Sequence, residues 1–537
     1  MRTLSAIVHK ETRHHLVSFR YLVTTALTVV LAVLATLAGT ADFAQRREGY
    51  RDRLEQNRQA LEEVPVYSYL QPVVVRPPEP LGIVDRGPAG RLGDEVVINV
   101  FTVPAAAIGE DRGNPYLASF QGFDLTTLVR VVLGLQALLL TFDAFVGERD
   151  RRTLELTLAH GVSRRTVVAG KYLGALWASL AALAASAAGG LAVIVLWGGI
   201  DLDAQARLRL GVAFAAYGAY LSLMVLVGLA LSLAARRASQ SLAYAILAWL
   251  VLVFLLPSVA VAVAAELRGA GGEVRQTVAR LERERDRRLD EALAADPLRT
   301  GRNAHSAPFV YSTLPRAELR RYGSGRYYDS LSAYHQLEAV VGMRYAERIF
   351  EERRRAGREQ HAAGRAAELL ASLSPAFLLE RLTESLAATS AADHDEFLAA
   401  CREYRRDFIA FLESRQAFRS WRWFTDDPPE TRPWTTFLGF RPEDVDAAAV
   451  GDLAGRFRSP EIQDRLRDEL ATDPPLRLDL EGLPAFRWEA PDLAEATRRV
   501  GFEVALFLTF HALLGACVLT RFRAYGLRGG ELRSHAR

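Results

Sequence analysis

The sequence predicts a polytopic α-helical membrane protein with six transmembrane helices, a small α/β outer element and a large, mainly helical extracytoplasmic domain. Three observations lead there. The apolar residues are gathered into blocks, the short segments between blocks are basic, and two long stretches carry dense charge of both signs. The averages alone, half hydrophobic and 24% charged over 537 residues, describe an ordinary globular protein, so the blocks decide.

No charged residue occurs from Tyr21 to Gly39, Leu173 to Ile200, Val212 to Ala235, Leu242 to Ala265 or Val504 to Leu519. These lengths approach or exceed the roughly 20 residues that cross a bilayer core. A sixth run, Leu125 to Phe145, is apolar except for Arg130 and Asp143. Any single run fits a buried core helix; five together do not. The first run reads as an uncleaved anchor rather than a secretory signal ending near Ala38–Ala41, because it is long and twenty residues precede it.

Basic residues in short loops set orientation. Lys10, Arg13 and Arg20 precede the first span, Arg149 to Lys171 form a basic loop, Arg236 and Arg237 make a turn, and Arg521 to Arg537 form a tail. Six spans with both termini cytoplasmic put all four segments inside, in the cell inner membrane. The resulting division is 1–20 as a cytoplasmic interfacial helix, 21–41 as the first span and 42–123 as a first extracytoplasmic region. Residues 124–266 then hold spans two to five with a cytoplasmic loop at 146–171. The large extracytoplasmic domain is 267–499, the sixth span 500–520 and the cytoplasmic tail 521–537.

Within 1–20, Leu4, Ile7, Val8, Leu16 and Val17 lean to one side and Lys10, Glu11 and Arg13 to the other, the pattern of a helix lying along a membrane surface. Asp42–Glu63 reads as a helical stalk. Val64–Tyr69, Pro72–Val75 and Val96–Val103 read as short strands, separated by Pro77-Pro78 and Gly87-Pro88 turns. In 267–499, helical spacing recurs around Val274–Leu289, Leu331–Leu370 and Asp393–Phe418, and Ser374-Pro375 is the pattern of a helix start.

Much chemistry is excluded. A phosphate loop needs G-x-x-x-x-G-K-[ST], yet the one lysine after a glycine, Lys171, is followed by Tyr172, and Arg165 fills the first glycine position. No H-E-x-x-H or G-x-S-x-G occurs. The chain has two lysines, Lys10 and Lys171. Cys401 outside and Cys517 within the last span cannot pair or build a metal site. His14-His15 reads as a solvated interfacial pair. The formal charge is only +3, and topology accounts for the cytoplasmic basic residues, so nucleic acid is not an expected partner.

Charges inside a bilayer are costly and invite a functional reading. Arg130, Asp143, Glu503 and His511 are the intramembrane polar candidates. Arg130 is expected to pair with Asp124 or snorkel outward, and Asp143 lies near Arg149. Glu503 and His511 share one side of their helix. A polar pathway and a set of structurally paired helix ends both fit.

The loop 146–171 differs. Thr153, Leu154, Leu156 and Leu158 sit between the charged cluster Glu148–Arg152 and the basic pair Arg164-Arg165, an apolar ridge framed by charge. Such a ridge suits either a groove on a partner or a membrane-hugging loop.

Asp143-Ala144, Glu148, Thr153-Leu154, Val162-Ser163-Arg164 and Lys171-Tyr172 together resemble the signature of ABC type-2 transporter permeases. Arg152 stands where that family usually has glycine, and Gly161 where it usually has proline. Pro77–Leu81, Gly87, Arg91–Asp94, Ser374-Pro375, Phe397, Tyr404-Arg405 and Leu483–Phe486 look like the branch with a large extracytoplasmic domain before the last transmembrane helix. The resemblance implies a permease subunit, expected to be an exporter, with residues 1–20 as an elbow helix. It implies an ABC ATPase subunit pair as partner, and a homodimer or a heterodimer with a sister permease. ATP and Mg would be held by the ATPase, with no cofactor, metal or catalytic residue on this chain. The implied ATPase-coupling interface is Glu148, Arg151, Arg152, Thr153, Leu154, Leu156, Leu158, Ser163 and Arg164. The alternative is a non-transporting machine in which ATPase strokes move 267–499 against an envelope protein. A membrane enzyme lacks any motif.

Overall fold

A computed structural model describes residues 2–64, 67, 70–108, 124–151, 153–198, 200, 202–267, 272–295, 326–419, 478 and 480–524. Helix α1 (Arg2–Val17) meets α2 (Phe19–Glu62) at one extended residue, Ser18, whose side chain accepts from Tyr21 N at 3.3 Å and so supplies the N-cap. At 1.5 Å per residue the 44 residues of α2 reach about 66 Å, twice a hydrocarbon core. Its second half, rich in Arg and Glu, therefore runs beyond the bilayer. Strands β1 (Val73–Val75) and β2 (Glu95–Val97) pair antiparallel, with Val74 opposite Val96. The strand expected at 64–69 lies mostly outside the described residues, and 98–103 is not strand. Asn99 turns the chain there by accepting from Phe101 N.

Helix α3 covers 125–141, capped by Asp124, which accepts from Thr127 N at 2.8 Å. Two short helices follow, α4 (Val146–Asp150) and α5 (Thr153–Ala159). Ser163 caps α6 (Arg164–Trp197) and Asp203 caps α7 (Ala204–Ala234). Helix α8 covers 238–267, and α9 (Gly272–Ala295) and α10 (Arg326–Ala371) pack on each other. Ser374, followed by proline, caps α11 (Pro375–Leu386), and a Ser390–Asp393 capping box opens α12 (Ala391–Ser414). Helices α13 (Leu493–Arg499) and α14 (Gly501–Ala524) close the described chain. Among the described residues, six helices are long and apolar enough to cross a membrane: α2, α3 with α4, α6, α7, α8 and α14.

The centre of the bundle is α7 against α3. Tyr217, Tyr220, Leu221 and Met224 of α7 and Leu128, Ala137 and Leu138 of α3 are fully buried. Helices α2 and α8 instead present broad apolar faces, including Leu27, Leu34, Leu247 and Phe254, which belong in lipid or against a partner. Both α3 and α8 contain a π-helical turn, at Val129–Leu133 and Val251–Leu255. A π turn breaks the regular ladder and leaves carbonyls to be satisfied from elsewhere. Here side chains do so: Tyr220 donates to Arg130 O at 2.8 Å, Trp249 to Val131 O at 3.0 Å and Ser374 to Leu252 O.

At the end of the bundle opposite α1, α11 sits against α7, α14, α13 and the π turn of α8. Ala376, Leu378 and Leu379 are fully buried there. Beyond α11, the β pair, α12 and residues 480–488 share one core. Phe397 meets Phe486 and Trp488 edge-on, and Tyr404 meets Phe486. The buried Arg405 donates to Asn99 O at 2.9 Å and pairs with Glu347 of α10. Gly87, at φ +51°, lets its loop touch the Thr389 backbone, where any Cβ would collide.

Candidate functional site

The most tightly organised polar group of the bundle lies where α1, α4 and the start of α6 meet. Lys171 Nζ is 2.9 Å from Glu148 Oε1 and 3.2 Å from Glu11 Oε1, with its side chain only 4% exposed. Lys10 Nζ stands 3.5 Å from both carboxylates, but is 66% exposed. The two lysines of the sequence thus converge on the same two acids. A compact ammonium on a flexible stem fits between the two carboxylates. Burial alone would raise the Glu11 carboxyl; Lys171 and then Lys10 outweigh it, and the net is below its ordinary value. Small residues let α1 come this close: a Cβ on Gly170 or Gly174 would run into Ile7 or Glu11. Phe145 packs beneath the lysine, 5.9 Å from Nζ to the ring centroid.

The break between α3 and α4 is fixed from two sides. Ser232 of α7 accepts from Phe145 N at 3.0 Å and Val146 N at 3.3 Å, and Ser241 of α8 donates to Phe142 O. Helix α5 then divides the apolar ridge read from the sequence. Leu154 turns into the core, 3% exposed, and Leu158 packs behind it, four residues on. Leu156 points out at 63% exposure. Thr153 holds the α4–α5 corner by donating to Glu148 O at 3.3 Å, and Arg151 is exposed. Arg152 lies outside the described residues.

Gly161 ends α5 at φ +77°, a conformation closed to the proline usual at that point in the resembled signature. Ser163 is spent as the cap of α6. Arg164 donates to Phe522 O and Arg523 O, so it ties α6 to the end of α14.

The intramembrane candidates do not form one line. Arg130 pairs with Glu380 of α11 rather than with Asp124, whose oxygens take the N–H groups of Thr127 and Arg86. Asp143 faces a cavity beside His15, while Arg149 donates to the carbonyls of Ala235 and Arg236. Glu503 lies 3.9 Å from Arg381 of α11. His511 accepts or donates at Ser222 Oγ, 3.1 Å away, and Ser222 contacts Tyr172 Oη at 2.6 Å. His15 also departs from the solvated pair expected, because burial pushes its imidazole down to about 4.

The α11 junction escaped the sequence reading. Asp85, Asp124 and Glu384 are all buried there. Burial, then the neighbouring Asp85 and Glu380 carboxylates, pushes Glu384 up to about 9. Asp85 rises for the same first reason, with Asp124 adding to it. Proline-capped α11 is visible in the sequence; that it plugs into the span ends is not.

Six membrane-crossing candidates, with an amphipathic helix packed on the bundle's first turns, define an integral membrane protein. The chain belongs to the ABC-2 family: the model for ABC-2 family transporter proteins matches residues 5–300, more than half its length. It is a permease subunit of an ABC transporter, is not itself catalytic, and works with an ATPase partner. A model for a domain of unknown function (DUF3526) matches residues 292–442. None of the curated proteins compared matches the chain.

Proposed function

We propose that this permease is the exporting half of an ABC transporter whose separate ATPase, carrying ATP and Mg, pushes on the α4–α5 turn from the cytoplasm. The observation that carries the reading is the mounting of that turn. It is bolted to α1 and α6 through Lys171 and to α7 and α8 through Ser232 and Ser241, yet leaves Leu156 exposed. A push on such a turn moves four helices together as one rigid body. Both termini are then cytoplasmic, the membrane is the cell inner membrane, and residues beyond α8 are extracytoplasmic. The broad apolar faces of α2 and α8 suit pairing with a second permease, identical or a sister chain.

A non-transporting machine is the second reading. Helix α11 belongs to the extracytoplasmic side in this orientation, and it grips the π turns of both α3 and α8 through Arg130–Glu380 and Ser374–Leu252. Strokes from the ATPase would then reach the outer domain and act on an envelope protein, with nothing crossing the spans.

Co-purification of the ATPase with Leu156→Asp permease tests the coupling turn. Loss of the ATPase with an unchanged permease melting temperature is expected, and undiminished association overturns the assignment.

A further inference from the structure

A cavity of about 360 Å³ opens at the α1 end of the bundle, between α1, the first turn of α2, α3 and the α4–α5 turn. That volume falls within the range of small-molecule sites, about 300–1,000 Å³. Its lining is layered. Leu139 and Leu140 of α3 make an apolar wall, Asp143 follows one turn later, and Lys10, Arg20 and Arg151 add cations. Glu11 and Glu148 also reach it, but both are held by Lys171.

This leaves a charge balance that the protein does not close by itself. Among the described residues, no acid pairs with Arg20 or Arg151, and no base forms an ion pair with Asp143. Arg20 has only the Phe142 ring, 5.7 Å away. Arg20 and Arg151 are exposed at the mouth and Asp143 is half-buried, so their donors and acceptor stand open to a ligand, and one carrying both a phosphate and an ammonium would meet the two signs at once. The flank of the cavity favours a lipid over a soluble zwitterion. Val17 and Phe19, on either side of the Ser18 hinge, are 70% and 80% exposed, and Leu22 lies one turn further into the span. Apolar side chains displayed at the start of a span belong in acyl chains.

We propose that this cavity binds the headgroup of a phospholipid bearing a primary ammonium. The phosphate sits between Arg20 and Arg151, whose planar donors match its oxygens, with Lys10 at the rim. The ammonium meets Asp143, and the acyl chains leave past Phe19 and Leu22. Basic pockets between spans at a membrane surface hold lipid headgroups in this way. The inference needs only that α2 and α3 span the bilayer, so it stands apart from the ATPase-docking reading. A bound headgroup would link α1, α3 and the α4–α5 turn, and so stiffen the turn.

The test is native mass spectrometry of the delipidated full-length chain, titrated with dioleoyl phosphatidylethanolamine, phosphatidylglycerol and phosphatidylcholine, with soluble glycerophosphoethanolamine as competitor. Phosphatidylethanolamine should bind at least about fivefold more tightly than either other lipid. Arg20→Ala with Arg151→Ala should weaken it about tenfold or more, and Asp143→Asn should erase its preference over phosphatidylglycerol. Equal affinity for the three lipids, or displacement by glycerophosphoethanolamine at lipid-like concentrations, overturns the proposal. A photoreactive phosphatidylethanolamine headgroup keeps it testable on the unaltered chain. Labelling within 10–22 or 139–151 supports the site. Labelling only elsewhere, or displacement of the label by the bound ATPase, contradicts it.

Discussion

Lys171 sits between two acids contributed from 160 and 23 positions earlier in the chain, and its burial gives the contact its weight. Removing one partner of a buried ion pair costs about 3–5 kcal/mol, because the other charge stays desolvated. Lys171→Met should therefore lower stability toward the lower end of that range, since Glu148 keeps some solvent. The exposed Lys10 should contribute under about 1 kcal/mol, so Lys10→Ala should leave the melting curve nearly unmoved. Thermal unfolding of the two variants in detergent checks the contrast, and equal losses would sink it. The rarity of lysine in an arginine-rich chain was plain in the sequence. The meeting of Lys10 and Lys171 on Glu11 and Glu148 was not, because nothing local encodes a contact between α1 and α6. The spacing Gly170-x-x-x-Gly174 was the available signal that a helix would pack closely there.

At the scale of elements, α5 shows how a charged, apolar, charged pattern is read too simply. The sequence placed Leu154, Leu156 and Leu158 on one ridge, yet residues two apart on a helix do not share a face. Leu154 and Leu158 anchor α5 while Leu156 is presented. Leu154→Ala should cost about 2–5 kcal/mol as a buried cavity, whereas Leu156→Ala should cost nothing measurable and Leu156→Asp should act on association alone. The π turns are a second case. Trp249→Phe would leave Val131 O without its donor, a loss of about 1–3 kcal/mol, visible as faster hydrogen exchange at the end of α3 near Arg130. Exchange unchanged from the parent would show that α3 satisfies this carbonyl in another way. Spans, caps and the Ser374-Pro375 helix start were legible because each is written in a short stretch. The π turns were not, since they answer to Tyr220, Trp249 and Ser374 on other elements.

At the scale of the whole molecule, α11 closes the end of the bundle opposite α1, and the acids buried there should make that junction depend on pH. Glu384, at about 9 when folded, binds a proton that the unfolded chain releases near 4.5. The folded state therefore holds more protons between those values, and stability falls as pH rises through the window. Asp85, raised by burial and then by Asp124, acts in the same direction, while Arg381 opposes the rise at Glu384. The α11 junction should be tighter at pH 5 than at pH 8, read as slower limited proteolysis around 372–390, and Glu384→Gln should flatten that dependence. A junction equally protected at both pH values would contradict the assignment of buried, protonated acids. The six-helix architecture and the family were readable from blocks of residues and one signature. The plug of α11 into the bundle required the long return of α10, about 70 Å over 46 residues, which no local pattern announces.

On the proposed reading, the α4–α5 turn receives the ATPase. A photo-crosslinking amino acid at position 156, in membranes from cells that make the complete complex, tests it directly. A covalent adduct between residue 156 and the ATP-binding subunit is expected, lost when the same probe replaces the buried Leu154. Absence of that adduct while the ATPase remains bound, or labelling of position 156 by a membrane-impermeant reagent from the extracytoplasmic side, would contradict it.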